Sequence, residues 1–299
     1  MDQRTAATPC LLLSLLIALH SHPVSAQCRL SKTGDLSQPE GRLVLENQFI
    51  RLELSPARGG RATRLLCKPA QKELVHLAST SAAPQGVGLL LDVHRRLWEL
   101  PYEWEVVEET ESRVAVRFSR TATIGRQRKS KIRVRKTIDV QEGRNSVLVR
   151  YELSNAGDET ALLSFRLTNI FSPGGPKAPA RDVSFPYGVR AEKRAVNVSS
   201  SLARRHDLTY YLKSEASINH WAMEPSQSWT GVRDPSGLGV GMEVDFPHVD
   251  VLYSWFPSTQ GGTGFPTAEV FYRPVELRPF KADPDEVVLD PSLRGNVFR

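Results

Sequence analysis

Alternating apolar and polar positions, broken at intervals by turn residues, run through most of the chain. Residues 41–66 show the pattern most fully. Val44, Phe49, Leu52, Leu54 and Leu65 fall at spacings that suit half-buried strands. Glu46-Asn47-Gln48 and Pro56-Ala57-Arg58-Gly59-Gly60 supply the turn chemistry between them. Three strands in succession are predicted there. Alternation or β-branched enrichment returns at residues 104–107, 113–118, 131–140, 146–153 and 161–167. The second half adds residues 207–212, 218–223, 228–232, 239–244, 251–255 and 268–277. Turn residues such as Glu142-Gly143, Ala156-Gly157-Asp158 and Asp234-Pro235-Ser236-Gly237 fit between these runs. No stretch shows a capped 3.6-residue period, so helix is expected to be scarce. Roughly fifteen or more strands exceed the seven to nine of an immunoglobulin-like sandwich, which points to a larger double-sheet sandwich.

The first 26 residues read differently from the rest. Residues 11–19 are an almost unbroken apolar run preceded by Arg4, and Val24-Ser25-Ala26 is an A-x-A-like cleavage site. The apolar core is too short for the ~20 residues that a membrane-spanning helix needs. Residues 1–26 are therefore expected to be a secretory signal peptide, with a retained anchor as the alternative, and the chain to be secreted or periplasmic. Gln27, in place of a small residue before Cys28, argues against lipidation. Residues 27–299 are expected to form a single domain, since the Pro/Gly-rich stretch 172–179 is the only plausible seam and reads as a loop between strands. No further apolar run is long enough to cross a bilayer, so no stable membrane insertion is expected once the leader is removed. Cys28 and Cys67 allow one disulfide; the alternative is one buried and one exposed thiol. Their separation offers no chelating pair, and no His/Glu grouping has ligand spacing, so neither metal nor cofactor is expected.

The strand set of residues 41–66, the central hairpin read at residues 151–171 with Ser154-Asn155-Ala156-Gly157-Asp158-Glu159-Thr160 at its turn, and residues 269–279 together resemble the galactose mutarotase-like superfamily. The resemblance implies an all-β fold, a β-supersandwich of large antiparallel sheets. Aldose 1-epimerases of that superfamily use a histidine as general acid and a glutamate as general base to open and reclose the sugar hemiacetal. The resemblance carries the glutamate onto Glu269, in Thr267-Ala268-Glu269-Val270; an outward-facing strand carboxylate is the alternative. At the histidine position, within Leu167-Thr168-Asn169-Ile170-Phe171, this chain has Ile170, which cannot transfer a proton. A replacement acid would come from His94, His206, His220 or His248, with His220 beside Trp221 as the candidate partner for Glu269. A lone histidine is more often an ordinary surface or core residue than a catalyst.

Two further groups bear on ligand choice. His94-Arg95-Arg96-Leu97-Trp98, followed by Tyr102-Glu103-Trp104, mixes rings, cations and carboxylates in a way that suits sugars. His94, Arg95, Arg96, Trp98 and Trp104 are thus candidate ligand residues, joined by Trp255 from a later aromatic group that otherwise reads as core. The net charge is +6, and much of the positive density lies in residues 126–136. Alternation puts Lys129, Lys131, Arg133 and Arg135 on one face of a strand and Ile132 and Val134 on the other. Such a ladder suits an acidic polysaccharide; a lysine-protected edge strand is the alternative. Nucleic acid is not expected as a partner of an exported chain. The sequence leaves the oligomeric state open. It supports an exported carbohydrate-binding protein for mono- or polysaccharides, with a non-canonical aldose epimerase or mutarotase based on Glu269, or a protein processing acidic glycans, as alternatives. Whether the chain is an enzyme stays open at this level.

Overall fold

The computed structural model describes residues 27–75, 91–92, 97–124, 130–171, 182–186, 207–211, 218–223, 229–233, 239–244, 246–256, 267–279, 287–289 and 292–294. Residues 1–26, the stretch 172–179, and the residues His94, Arg95, Arg96 and His206 lie outside them.

Five strands open the fold: β1 (Arg29–Thr33), β2 (Arg42–Glu46), β3 (Ile50–Ser55), β4 (Arg61–Cys67) and β5 (Lys72–Glu73). They pair antiparallel in chain order. The three strands expected within residues 41–66 are β2, β3 and β4. Between β3 and β4 the chain makes a 3-10 turn, Pro56–Arg58, and then passes through Gly59 and Gly60 at φ of 70° and 55°. A Cβ on Gly59 would lie 2.4 Å from the backbone of Trp98, so this turn needs glycine for space as well as for its left-handed backbone.

β6 (Leu91–Asp92) precedes four long strands, β7 (Glu103–Glu109), β8 (Arg113–Ile124), β9 (Ser130–Gln141) and β10 (Ser146–Asn155). The chain continues through β11 (Ala161–Leu163), β12 (Arg166–Ile170), β13 (Asp182–Pro186), β14 (Asp207–Tyr211), β15 (Ile218–Met223) and β16 (Trp229–Arg233). It ends with β17 (Gly239–Glu243), β18 (Val249–Phe256), β19 (Thr267–Tyr272), β20 (Val275–Leu277), β21 (Val287–Leu289) and β22 (Ser292–Arg294). A ten-stranded sheet runs β14-β13-β16-β17-β22-β10-β9-β8-β7, with β21 also on β10. A second five-stranded sheet runs β15-β18-β19-β12-β6, and β11 pairs with β20. No α-helix occurs among the described residues, and none there is long and apolar enough to cross a membrane.

One continuous apolar core joins the sheets. It includes Leu52 from the first sheet, Phe118 and Tyr151 from the ten-stranded sheet, and Leu167 and Val270 from the second five-stranded sheet. Phe165 links the layers, its ring 5.2 Å from Tyr151 and 6.0 Å from Tyr272. Burial of such rings and aliphatic side chains contributes roughly 1.5–3 kcal/mol each.

Four local expectations need correction. Residues 151–171 are not a hairpin: β10 pairs with β9, and β12 pairs with β19 in another sheet. The turn after β10 therefore carries the chain from one sheet to another. Asn155 holds it, its Nδ2 donating to the carbonyls of Glu159 and Leu277 at 2.7 and 2.9 Å. Residues 161–167 and 268–277 are each two strands, and their breaks are matched. Pro274, which lacks the donor a strand interior needs, follows β19, and the Tyr272 N–H donates to the Phe165 carbonyl across the gap. The strand carrying the basic ladder is no edge strand, since β9 lies between β8 and β10. Its alternation is as read, with Lys131 and Arg133 exposed and Ile132 and Val134 buried. Finally, both cysteines are free: Cys28 is buried, with its Sγ 3.5 Å from the Val140 carbonyl, and Cys67 is half-buried.

Candidate functional site

Backbone register alone sets up a row of five residues across the second five-stranded sheet. Glu269 on β19 pairs with Thr168 on β12 and with Tyr253 on β18. Thr168 pairs in turn with Leu91 on β6, and Tyr253 with Trp221 on β15. Because side chains alternate along a strand, Arg166, Thr168 and Ile170 share a face with Thr267, Glu269 and Phe271. The other face belongs to the core, where Leu167, Ala268 and Val270 are fully buried. Asn169 is also on that inner face, its Nδ2 3.1 Å from the Met242 sulfur on β17. The Asn that precedes Ile170 is thus a tie between sheets.

Glu269 is buried, with 3% of its surface exposed. A carboxylate at such a position needs a partner, and it has one. Arg166 grips Oε2 from both Nε, at 2.6 Å, and Nη2. The Arg166 guanidinium also lies over the Phe271 ring at 4.6 Å, a cation–π contact that fixes the plane of the fork. Register places Arg166 opposite Phe271, two residues from the Glu269 row.

The pair leaves hydrogen-bonding capacity unused. Among the described residues, Glu269 Oε1 accepts no hydrogen bond and Arg166 Nη1 donates none. Thr168 is 7% exposed, and its buried Oγ1 likewise has no hydrogen-bond partner there. An acceptor, a donor and a hydroxyl therefore lie on adjacent strands with hydrogen-bonding capacity that the described residues do not use. Arg166 also lines a cleft of about 300 Å³ with Ser164, Phe165, Asp250, Phe271 and Pro274. Tyr253, half-buried, sets its ring edge-on to Phe271 at 6.2 Å. Burial pushes its phenol above the ordinary tyrosine value, the Glu269 carboxylate adds to the rise, and Arg166 opposes it. Tyr253 thus keeps its proton at neutral pH.

Glu269 is accordingly neither an exposed strand carboxylate nor an unencumbered base. Ile170, half-buried, occupies the same face at the position paired with Thr267. The backbone of His220 pairs with Ser254, one position out of phase with the row through Glu269, and Trp255 pairs with Asn219. The side chains of His220 and Trp255 lie outside the described structure. His248 is half-buried in a 3-10 turn before β18, and its carbonyl accepts the Arg273 N–H.

The aromatic cluster has one tie to this site. β6, which precedes it in the chain, pairs with β12, Leu91 with Thr168 and Asp92 with Leu167. Trp98 itself lies in the 3-10 turn Leu97–Glu99, packed against the Gly59-Gly60 turn, with the Arg61 guanidinium 5.5 Å from its ring. Trp104 belongs to β7 of the ten-stranded sheet, and the Lys32 ammonium lies 4.7 Å from its ring. Among the described residues no three His, Cys, Asp or Glu side chains converge as a metal ion would require.

Sequence reasoning missed Arg166, Thr168 and, as more than core, Tyr253. The signal for the first two was present. Phe165-Arg166-Leu167-Thr168-Asn169-Ile170 alternates core-facing and polar positions, which sets Arg166 and Thr168 on one face.

No family model matches this chain, and no curated protein does. Solved structures do match in fold. A putative aldose 1-epimerase from Klebsiella pneumoniae superposes with a TM-score of 0.62 at 13% identity, covering 90% of this chain and 83% of that one. A galactose mutarotase-like protein from Clostridium acetobutylicum gives 0.62 at 8% identity over 91% and 99% of the two chains. A 4-alpha-glucanotransferase from Thermococcus litoralis gives 0.55 at 14% identity, covering 90% of this chain and only 40% of the larger enzyme. The chain has the all-β fold of galactose mutarotase-like proteins, and at these identities the likeness is one of fold.

Proposed function

We propose that the chain is an exported carbohydrate-binding protein whose sugar site is built around Glu269, Arg166 and Thr168. One observation carries this reading: a buried carboxylate, fixed through one oxygen by a guanidinium, has no hydrogen-bond partner among the described residues for its other oxygen, beside a buried hydroxyl that likewise has none there. A sugar diol meets that set closely. One hydroxyl donates to Glu269 Oε1, a neighbouring hydroxyl accepts from Arg166 Nη1, and Thr168 Oγ1 serves as either partner. Charge-assisted bonds of this kind are each worth about 1.5–3 kcal/mol. The fold shared with galactose mutarotase-like proteins and the leader-like first 26 residues support the sugar and the export parts of the reading.

The Arg166 fork favours binding over catalysis. It occupies Oε2 from two nitrogens and leaves only Oε1 to meet a ligand, and Ile170 stands where the resemblance expects the general acid. One observation keeps epimerase chemistry as a second reading. Tyr253, protonated and directly paired with Glu269 across the strands, is a group able to donate toward a ring oxygen.

Calorimetry with a panel of aldoses separates these. On the binding reading at least one neutral monosaccharide binds, Glu269→Gln and Thr168→Val each weaken it by about tenfold or more, and polarimetry shows no faster mutarotation. Acceleration that disappears in both Glu269→Gln and Tyr253→Phe establishes the second reading. Sugar binding untouched by Glu269→Gln and Thr168→Val removes the site.

A further inference from the structure

On the ten-stranded sheet, β8 and β9 turn a row of cations away from the core, and their counter-charges are unevenly spread. Arg113 is held by Glu108 and Asp139, Arg117 by Glu105, and Arg135 by Glu152. Toward the β8–β9 connection the acids stop. Among the described residues no carboxylate pairs with Arg120, Lys131 or Arg133, although Lys131 and Arg133 are exposed.

The same end of the sheet is open. Glu103, the first residue of β7, pairs with Ser119, so β8 runs on to Ile124 without β7 beside it. A cleft of about 300 Å³ fills this corner, lined by Pro101, Glu103, Ser119, Arg120, Thr121 and Arg133. Arg120 is anchored there by Nη1 donating to the Pro101 carbonyl at 2.6 Å, while its buried Nε has no hydrogen-bond partner among the described residues. Arg120, in register with the core-facing Val134, and Arg133, in register with Thr121 on the outer face, thus border one cleft from two sides, and among the described residues no carboxylate is bound to either.

We propose that this cleft, continued by Lys131, is a subsite for the anionic groups of an acidic glycan. A guanidinium fork matches a sulfate or a carboxylate, and the Ser119 and Thr121 hydroxyls suit the sugar hydroxyls on either side. Glu103 decides the class of polymer. Lining the cleft with the arginines, it repels a bare run of charges, but it accepts a hydrogen bond from the hydroxyls that flank each anionic group of a glycan. The subsite lies on a different sheet from Glu269 and stands or falls separately from the sugar site there.

Binding of the full chain to dextran sulfate, to polygalacturonate and to neutral dextran of equal length, at near-physiological salt, tests this. The expected result is that one or both acidic polymers bind, neutral dextran does not, and affinity falls as salt rises. Lys131→Gln/Arg133→Gln should weaken that binding at least about fivefold more than Arg29→Gln/Lys72→Gln, which removes the same charge from exposed positions of the first sheet. The anionic group is identified by which polymer binds. The proposal is overturned if neither acidic polymer binds, if the two double variants differ by less than that, or if duplex DNA binds as tightly as the glycans. Retention of monosaccharide binding by Lys131→Gln/Arg133→Gln shows that these changes leave the fold and the Glu269 site intact.

Discussion

The Arg166–Glu269 and Arg117–Glu105 pairs join the same two chemical groups across neighbouring antiparallel strands, yet their surroundings make them opposites. Glu269 keeps 4% of its side-chain surface exposed, and Glu105 keeps 62%. Water and salt screen the outer pair, so it contributes little to stability and serves mainly to neutralise its stretch of the sheet. The inner pair has replaced water with a fixed guanidinium, so removing either partner leaves the other's charge uncompensated. The same pair of groups therefore holds a buried carboxylate on one sheet and a solvated one on the other, and burial is what singles out the first as the candidate sugar site.

The largest effect follows from breaking each pair by one residue. Arg166→Met leaves Glu269 buried without its partner and should destabilise the fold by roughly 2–3 kcal/mol, less than a fully buried pair would because Arg166 is partly exposed. Arg117→Met should change stability by less than about 0.5 kcal/mol. Equal losses in urea unfolding would erase the distinction between the two sheets. A second step sharpens it. Adding Glu269→Leu to Arg166→Met removes the orphaned charge and should regain about half or more of that loss, whereas adding Glu105→Leu to Arg117→Met should recover nothing measurable.

Much of the fold was legible in the sequence, because strand alternation is local. The phase of β9, with Lys131 and Arg133 out and Ile132 and Val134 in, follows directly from the order of residues. The same rule sets Lys136 inward, where it is fully buried with its Nζ 2.8 Å from the Gly59 carbonyl. What local pattern could not give was partnership. Residues 154–160 have the composition of a hairpin turn, and only the pairing of β10 with β9 and of β12 with β19 shows a crossing between sheets. The centrality of β9 is likewise a matter of its neighbours. The site was half legible. Glu269 came from the resemblance, but its partner Arg166 lies 103 residues away with no local signal linking them. The cluster around Trp98 and Trp104 reads as sugar-binding by composition, while the structure sets their rings beside Arg61 and Lys32 on other elements.

A smaller effect separates the two regions by pH. The Tyr253 phenol is held above its ordinary value, so its contribution to stability is complete below about pH 10, the unfolded value, and is lost as pH rises through the folded one. The phenolate absorbance assigned by difference from Tyr253→Phe should therefore rise later than that of free tyrosine. In Glu269→Gln it should rise earlier, because the neighbouring negative charge is gone, whereas Glu105→Gln on the far sheet should leave it unmoved. An unchanged Tyr253 titration in Glu269→Gln would mean that the two groups do not feel each other.

Smallest is the response to salt. Raising ionic strength to about 1 M shortens the screening length to ~3 Å. It should remove whatever the Arg117–Glu105 pair contributes while leaving the penalty of Arg166→Met nearly intact. A penalty that vanished with salt would mean that Glu269 is in effect a surface group.

The central claim, that the open oxygen of Glu269 and the buried Thr168 hydroxyl are completed by a sugar, is tested most directly by a crystal soaked in a monosaccharide that calorimetry shows to bind. The account predicts a sugar with hydroxyl oxygens about 2.6–3.0 Å from Glu269 Oε1 and Thr168 Oγ1, and the Arg166 fork on Oε2 unchanged. A sugar bound elsewhere, with both of those atoms bonded only to water, would contradict it.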